Sequence, residues 1–152
     1  MFNPSRDEVR RFFCGAWDKH CAARPVTPLE SVAIHWIERH PEYHALLTDL
    51  PAALAAEFPP EAGRSNPFLH LGLHLSLAEQ LQIDQPPGIR EAWAALRRAC
   101  ADEHEAAHRA IDALAETLWE AQRDRSPPSN ERYLERLRRA APGGGGGGGT
   151  DL

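Results

Sequence analysis

Helix-start signals divide this sequence into short helical segments. A hydroxyl residue precedes a glutamate by three positions in Ser5-Arg6-Asp7-Glu8 and again in Thr27-Pro28-Leu29-Glu30. This spacing is typical of a capping box, in which two side chains satisfy backbone N–H groups at a helix N-terminus. Apolar residues then recur three and four positions apart, as on one face of a helix. The sequence predicts helices over residues 6–22 and from Pro28 to about His40.

Prolines and glycines set the remaining boundaries. His40-Pro41 interrupts the second helix, because a residue that precedes proline is displaced from the α region. A short turn is expected to resume through Leu47, and another helix is expected to begin near Pro51. Three further helices are predicted, over residues 66–84, over residues 89–123 and over residues 130–140.

The segment from Leu69 to Leu77 needs a choice between helix and strand. Apolar residues alternate there with small or polar ones, which is the period of a strand. Against a strand stand the Asn66-Pro67 helix start, the absence of β-branched residues and the high leucine content. We therefore predict a helix, with His70 and His74 on its buried face.

These signals together predict an all-α protein, a compact bundle of about five to six helices with short proline-rich connections. A chain of 152 residues suits one domain with a modest core. We expect that domain to span residues 1–141. Residues 142–152 include seven consecutive glycines and are predicted to form a disordered tail.

Charge and hydropathy exclude several classes of partner and place the protein in the cytoplasm. The net charge is −5 and the basic residues are scattered, so nucleic acid is not an expected partner. There is no apolar run of membrane-spanning length and no signal peptide at the polar N-terminus. The cysteines, Cys14, Cys21 and Cys100, lack CxxC spacing and are expected to be small core residues.

Histidines provide the strongest indication of chemistry. Six of the eight form pairs four positions apart, and random placement of eight histidines gives only about 0.4 such pairs, whereas three are present. Residues four apart lie on the same helix face, so two imidazoles can converge on one ion. The candidate metal ligands are His40, His44, His70, His74, His104 and His108.

The predicted cofactor is a transition-metal ion, because imidazole binds iron, zinc, manganese, nickel and copper alike. Two or three pairs on facing helices could fill a coordination sphere that one pair cannot. Glu42 and Asp112 lie close to the pairs in sequence and are candidate carboxylate ligands or hydrogen-bond acceptors for the ligands. The reaction would be redox or hydrolytic according to the ion, but whether the protein is an enzyme is left open.

The alternative hypothesis is a non-enzymatic helical adaptor. Its histidines would be hydrogen-bonded core residues, and it would bind a protein partner or form a homodimer through exposed apolar side chains. This hypothesis predicts no stoichiometric metal.

Several sequence blocks resemble a known family. Met1-Phe2-Asn3-Pro4-Ser5-Arg6, His40-Pro41-Glu42-Tyr43-His44 and Asn66-Pro67-Phe68-Leu69-His70 look like a family of small proteobacterial proteins known as domain of unknown function 1841, as do residues 83–90 and 102–105. The resemblance covers about residues 1–138 and implies no activity. A looser similarity to hemerythrin-like and DinB-like bundles rests on His70/His74 and on His104, His108 and Asp112. It implies metal binding by histidines and carboxylates from several helices.

Overall fold

The computed structural model describes residues 5–59 and 66–142, and these residues form helices and no β-strand. The predicted all-α class is confirmed. The described part of the chain contains eight α-helices, more than the five to six expected. In chain order they are α1 (Arg6–Cys21), α2 (Pro28–Glu38), the 3-10 turn η1 (Pro41–Tyr43), α3 (His44–Leu47), α4 (Leu50–Ala55), α5 (Pro67–Ile83), α6 (Ile89–Ala99), α7 (Glu103–Asp124) and α8 (Asn130–Arg139).

Most of the α-helices begin at residues whose side chains accept from free backbone N–H groups; α3 and α6 do not. Both predicted capping boxes form, with Ser5 and Glu8 at α1 and Thr27 and Glu30 at α2. The side chain of Asn66 accepts from backbone N–H groups at the start of α5, 2.9 and 3.3 Å away. Short polar side chains therefore set the helix starts, as their geometry favours. Segment 69–77 lies within α5, so its predicted helical conformation is confirmed.

The long helix predicted over residues 89–123 was wrong, because the chain leaves the helical conformation between α6 and α7. Cys100 has an extended ψ of 159°, and Asp102 caps α7 by accepting from the Glu105 N–H at 2.8 Å. The Glu105 carboxylate in turn accepts from the Ala101 N–H at 3.0 Å. Apolar residues recur with helical period through this break, which concealed it. The signal that marks it is the acidic pair three positions apart, Asp102 and Glu105.

The chain divides into two compact units, Met1–Leu75 and Ser76–Leu152, and the division falls within α5. In the first unit α1 packs against α2, α3 and α4. Its core includes Phe13, Ile37 and Leu47. The prediction of a single domain over residues 1–141 stays a prediction, and the predicted tail lies outside the described residues from position 143 onward.

In the second unit α8 packs against both α6 and α7. Ile89, Leu96 and Leu137 are among its fully buried side chains. The buried Tyr133 donates its hydroxyl hydrogen to the Gln80 side chain at 2.6 Å. Burial of this polar group is therefore compensated by a hydrogen bond.

The cysteines of the described residues are free thiols. Cys14 and Cys100 are buried, as expected of small core residues, and burial raises the pKa of both thiols. Cys21 was expected in the core but is exposed, because it is the last residue of α1 and lies beyond the packed face of that helix.

None of the described helices combines the length and apolar character that a bilayer crossing requires.

A buried arginine holds the end of α4. The side chain of Arg10 is 4% exposed and donates to the Ala53 and Ala56 carbonyls at 2.7 and 2.8 Å. Its guanidinium also lies over the rings of Phe58 and Phe68, 5.7 and 4.9 Å from the centroids. A cation at these C-terminal carbonyls is favoured by the helix dipole, so Arg10 compensates for its own burial.

We predict that Arg10→Met destabilises the protein, because the aliphatic stem is kept while the buried Ala53 carbonyl loses its side-chain donor; the Ala56 carbonyl still accepts from Arg6 at 2.8 Å. The free energy of unfolding should fall by about 2 kcal/mol. Urea denaturation of Arg10→Met and of Arg11→Met, an exposed neighbour on the same helix, measures the effect. Equal midpoints for the two variants would contradict this account.

Candidate metal centre

His40 lies just beyond the C-terminus of α2, where Pro41 prevents the helix from continuing. Its Nδ1 atom is 2.7 Å from the Trp36 carbonyl oxygen, and its side chain is buried. A carbonyl oxygen can only accept, so Nδ1 carries the proton in this bond. The neutral ring therefore presents an unprotonated Nε2, which is the form that binds a metal ion.

His70 and His74 lie one turn apart on α5 and meet His40. The His70 Nε2 atom is 3.1 Å from the Nε2 of His40 and 3.2 Å from the Nε2 of His74. His74 is 1% exposed, whereas His70 is half-buried. We call His40, His70 and His74 the histidine triad. Their ligand atoms all lie within 4.8 Å of one another.

The two short nitrogen–nitrogen distances match those within one coordination sphere. Zn–N bonds of about 2.05 Å at tetrahedral angles place two ligand nitrogens about 3.3 Å apart, and right-angled ligands lie about 2.9 Å apart. The observed 3.1 and 3.2 Å fall between these values. The rings are inclined by 71° for His40 and His70 and by 80° for His70 and His74, so they approach a common point from different directions.

Protons account for this geometry less completely than a cation would. Since His40 Nε2 has a lone pair, a hydrogen bond to His70 requires the proton on His70 Nε2. That single proton cannot point at both His40 and His74. A cation placed among the three atoms interacts favourably with three lone pairs at once.

Two aromatic side chains pack against the triad. The indole of Trp36 stacks on His74 with a centroid distance of 4.0 Å and an interplanar angle of 20°. The ring of Tyr43 lies parallel to His40, 5.1 Å away and inclined by 6°. Burial, and secondarily the nearby charge of Glu42, raises the pKa of the Tyr43 phenol. Sequence analysis missed both contacts, although Trp36 lies one turn before His40.

His44 lies outside the triad and contacts other groups. Its Nε2 is 2.7 Å from the Ile37 carbonyl oxygen and therefore donates to it. The ring packs on Trp17 with a centroid distance of 4.3 Å. His40 and His44 thus each add a side-chain donor to a C-terminal carbonyl of α2, and each of these carbonyls also accepts from a backbone N–H three residues further on.

The third pair lies at the start of α7, in the second unit. The Nε2 atoms of His104 and His108 are 3.1 Å apart and both residues are half-buried. The capping contact of Asp102 sets where this helix begins. The four-residue spacing has therefore brought two nitrogens together here, as it has for His70 and His74.

The two candidate carboxylates occupy exposed positions. Glu42 lies in η1, and Asp112 lies one turn beyond His108 on α7. Although Asp112 is exposed as a residue, neighbouring atoms shield its carboxyl from part of the solvent, and this desolvation raises its pKa. Among the histidines outside the pairs, His20 lies 3.1 Å from Glu38, and the His35 side chain contacts Arg39 at 3.1 Å.

A cavity of about 570 Å³ lies between α7 and α8 in the second unit. Charged side chains line it, and its arginines form ion pairs. Arg136 is 3.2 Å from Glu120 and donates to the Thr117 hydroxyl at 2.9 Å, and Arg109 is 3.1 Å from Glu105. The pair of Arg136 and Glu120 joins α8 to α7, whereas the pair of Arg109 and Glu105 lies within α7, so these charged side chains have structural roles.

Comparison with known proteins identifies the family. A family model described as a domain of unknown function, DUF1841, matches residues 5–139. The chain belongs to this family. The family suggested by the sequence blocks is thereby confirmed. No curated protein and no solved structure matches this DUF1841 chain. The looser similarity to hemerythrin-like and DinB-like bundles stays a prediction.

We predict that His44→Phe lowers stability without removing a triad ligand. The phenyl ring keeps the contact with Trp17 but cannot donate to the Ile37 carbonyl, so the free energy of unfolding should fall by about 1 kcal/mol. Denaturant unfolding measures the loss, and elemental analysis of the same samples measures bound metal. A loss of metal in His44→Phe would instead support the sequence prediction that His44 is a ligand.

Proposed function

We propose that this DUF1841 protein binds a divalent transition-metal ion through the Nε2 atoms of His40, His70 and His74. The observation that carries the proposal is the convergence of three Nε2 atoms. Two of the distances between them are those expected of nitrogen ligands bound to one metal ion. The hydrogen bond from His40 Nδ1 to the Trp36 carbonyl supports it, because metal-binding histidines commonly donate their second nitrogen in this way.

The ligand set favours borderline ions. The triad offers imidazole nitrogen and neither thiolate nor carboxylate, which suits zinc, iron, nickel, copper or cobalt better than magnesium or calcium. Three neutral ligands also leave the charge of a divalent ion uncompensated. Water bound to such an ion would become acidic, as in zinc sites of three histidines, where its pKa is about 7.

The chemistry depends on the ion that is bound. With zinc, an activated water would support hydrolysis; with iron, manganese or copper, electron transfer or oxygen chemistry would become available. Metal binding is therefore the first property to establish, and the reaction assays follow from the metal identified.

His104 and His108 remain candidate ligands as the sequence predicts. The Nε2 atoms of His104 and His108 are close enough to each other for both to bind one ion. A His104→Ala/His108→Ala variant tests them: a reduced ratio of metal to protein would support their role, and an unchanged ratio would contradict it.

We predict that untagged wild-type protein contains about one equivalent of a transition metal per triad and that His70→Ala loses it. Removing one of three ligands should weaken binding by more than the roughly 10–100-fold typical of changes to groups that only support a ligand. Elemental analysis and competition with a chromophoric chelator measure both quantities. His70 is the best position for this change, because it is less buried than His40 or His74.

The matched control is His20→Ala, which removes an exposed histidine that pairs with Glu38 outside the three sequence pairs. It should retain the wild-type metal content. Folded wild-type protein that contains no metal and takes up none of iron, zinc, manganese, nickel, copper or cobalt would contradict the proposal. That result would favour the helical-adaptor hypothesis.

A further inference from the structure

Trp36 touches two of the three proposed ligands by two different groups. Its indole stacks on the ring of His74, and its carbonyl oxygen accepts from His40 Nδ1 at 2.7 Å. We infer that Trp36 is a positioning residue of the metal centre, whose side chain fixes the ring plane of His74 and whose carbonyl fixes the tautomer of His40. The inference rests on the proposed metal site and concerns how that site is held in place.

The carbonyl of Trp36 is available because α2 ends there. The Arg39 N–H donates to it at 3.1 Å, but the His40 N–H, which would donate to it in a continuing helix, donates to the Ile37 carbonyl at 3.0 Å instead. The imidazole of His40 takes the remaining acceptor position. Because C-terminal carbonyls carry partial negative charge, this bond also makes Nε2 of His40 a better electron-pair donor to a metal.

The indole restricts a motion that the helix leaves free. The four-residue spacing on α5 places His74 beside His70, but rotation about the bond joining ring and Cβ would turn Nε2 away. The indole of Trp36 lies nearly parallel to the imidazole at 4.0 Å, which restrains that rotation. Tyr43 acts similarly on His40, where it lies parallel to the ring. Both rings are therefore held before any ion arrives.

Loss of this restraint should weaken metal binding and change its geometry. Groups that orient a ligand without touching the ion change metal affinity by about 10–100-fold when mutated. We expect Trp36→Leu to raise the Co²⁺ dissociation constant by about that factor and to shift the visible d–d absorption bands of bound Co²⁺. Trp36→Phe keeps an aromatic face and should restore part of both properties.

Trp17 provides a matched control, because Trp17 and Trp36 are each 7% exposed. Trp17 contacts His20 and His44, which lie outside the triad. Trp17→Leu should therefore cost folding stability comparable to that lost in Trp36→Leu while leaving the Co²⁺ spectrum unchanged. Thermal unfolding followed by circular dichroism provides the comparison of stability.

The experiment is a titration of untagged full-length protein and its variants with Co²⁺, followed by visible absorption. Weaker Co²⁺ binding and shifted bands in Trp36→Leu, both partly restored in Trp36→Phe and absent from Trp17→Leu, would support the inference. Identical affinity and bands in Trp36→Leu and wild type would overturn it, as would an equal change in Trp17→Leu. Failure of the wild-type protein to bind Co²⁺ or any other ion tested would overturn the proposed function itself, which is a distinguishable result.

A second measurement needs no destabilised variant. Because the indole of Trp36 contacts a ligand ring, bound Co²⁺ should quench its fluorescence in the wild-type protein. Saturating Co²⁺ should therefore reduce the tryptophan emission, and Trp36→Phe should lose most of that reduction. Unchanged emission at saturation of the absorption signal would overturn the inference even if Trp36→Leu fails to fold.

Discussion

The C-terminus of α2 is the feature on which the candidate metal centre depends. Pro41 ends the helix, and the carbonyls of Trp36 and Ile37 there accept from histidine side chains as well as from the backbone N–H groups of Arg39 and His40. His40 and His44 donate to these carbonyls, each over 2.7 Å. This hydrogen bonding orients both rings, but differently: His40 donates through Nδ1 and keeps the far nitrogen for a ligand, whereas His44 donates through Nε2 and packs on Trp17. The end of α2 therefore orients two histidines, of which His40 is a candidate metal ligand and His44 is not part of the triad.

The triad brings three imidazole nitrogens close together in a largely buried place, and this combination favours binding of a metal ion. His40 and His74 are 3% and 1% exposed, so water is largely excluded from their rings. A single proton on the Nε2 of His70 can be donated to only one of its two neighbours. A metal ion instead places one charge among three lone pairs. The aromatic faces of Trp36 and Tyr43 restrain the rings around it.

The positions at which the helices start and end explain where the candidate ligands lie. Asn66 caps the start of α5, which carries His70 and His74 on one face, and Asp102 caps the start of α7, which carries His104 and His108 on one face. The prediction of one helix over residues 89–123 was wrong between Ala99 and Glu103. Apolar periodicity continues through the break, and neither proline nor glycine marks it. Side-chain capping by Asp102 and Glu105 ends one helix and begins the next without interrupting the apolar pattern.

The sequence by itself determined the all-α class, most helix starts and the pairing of histidines within a helix. These features depend on residues a few positions apart, and four-residue spacing brings Nε2 atoms together wherever the helix is regular, as the 3.2 Å between His70 and His74 demonstrates. Tertiary structure alone decided that His40 meets His70 across thirty positions of sequence and that His44 turns to Trp17. Sequence spacing could not show that His40 and His44 have different surroundings, because Pro41 lies between them and interrupts the helix. Their different roles follow from which ring nitrogen each uses to cap α2 and which aromatic ring it packs against.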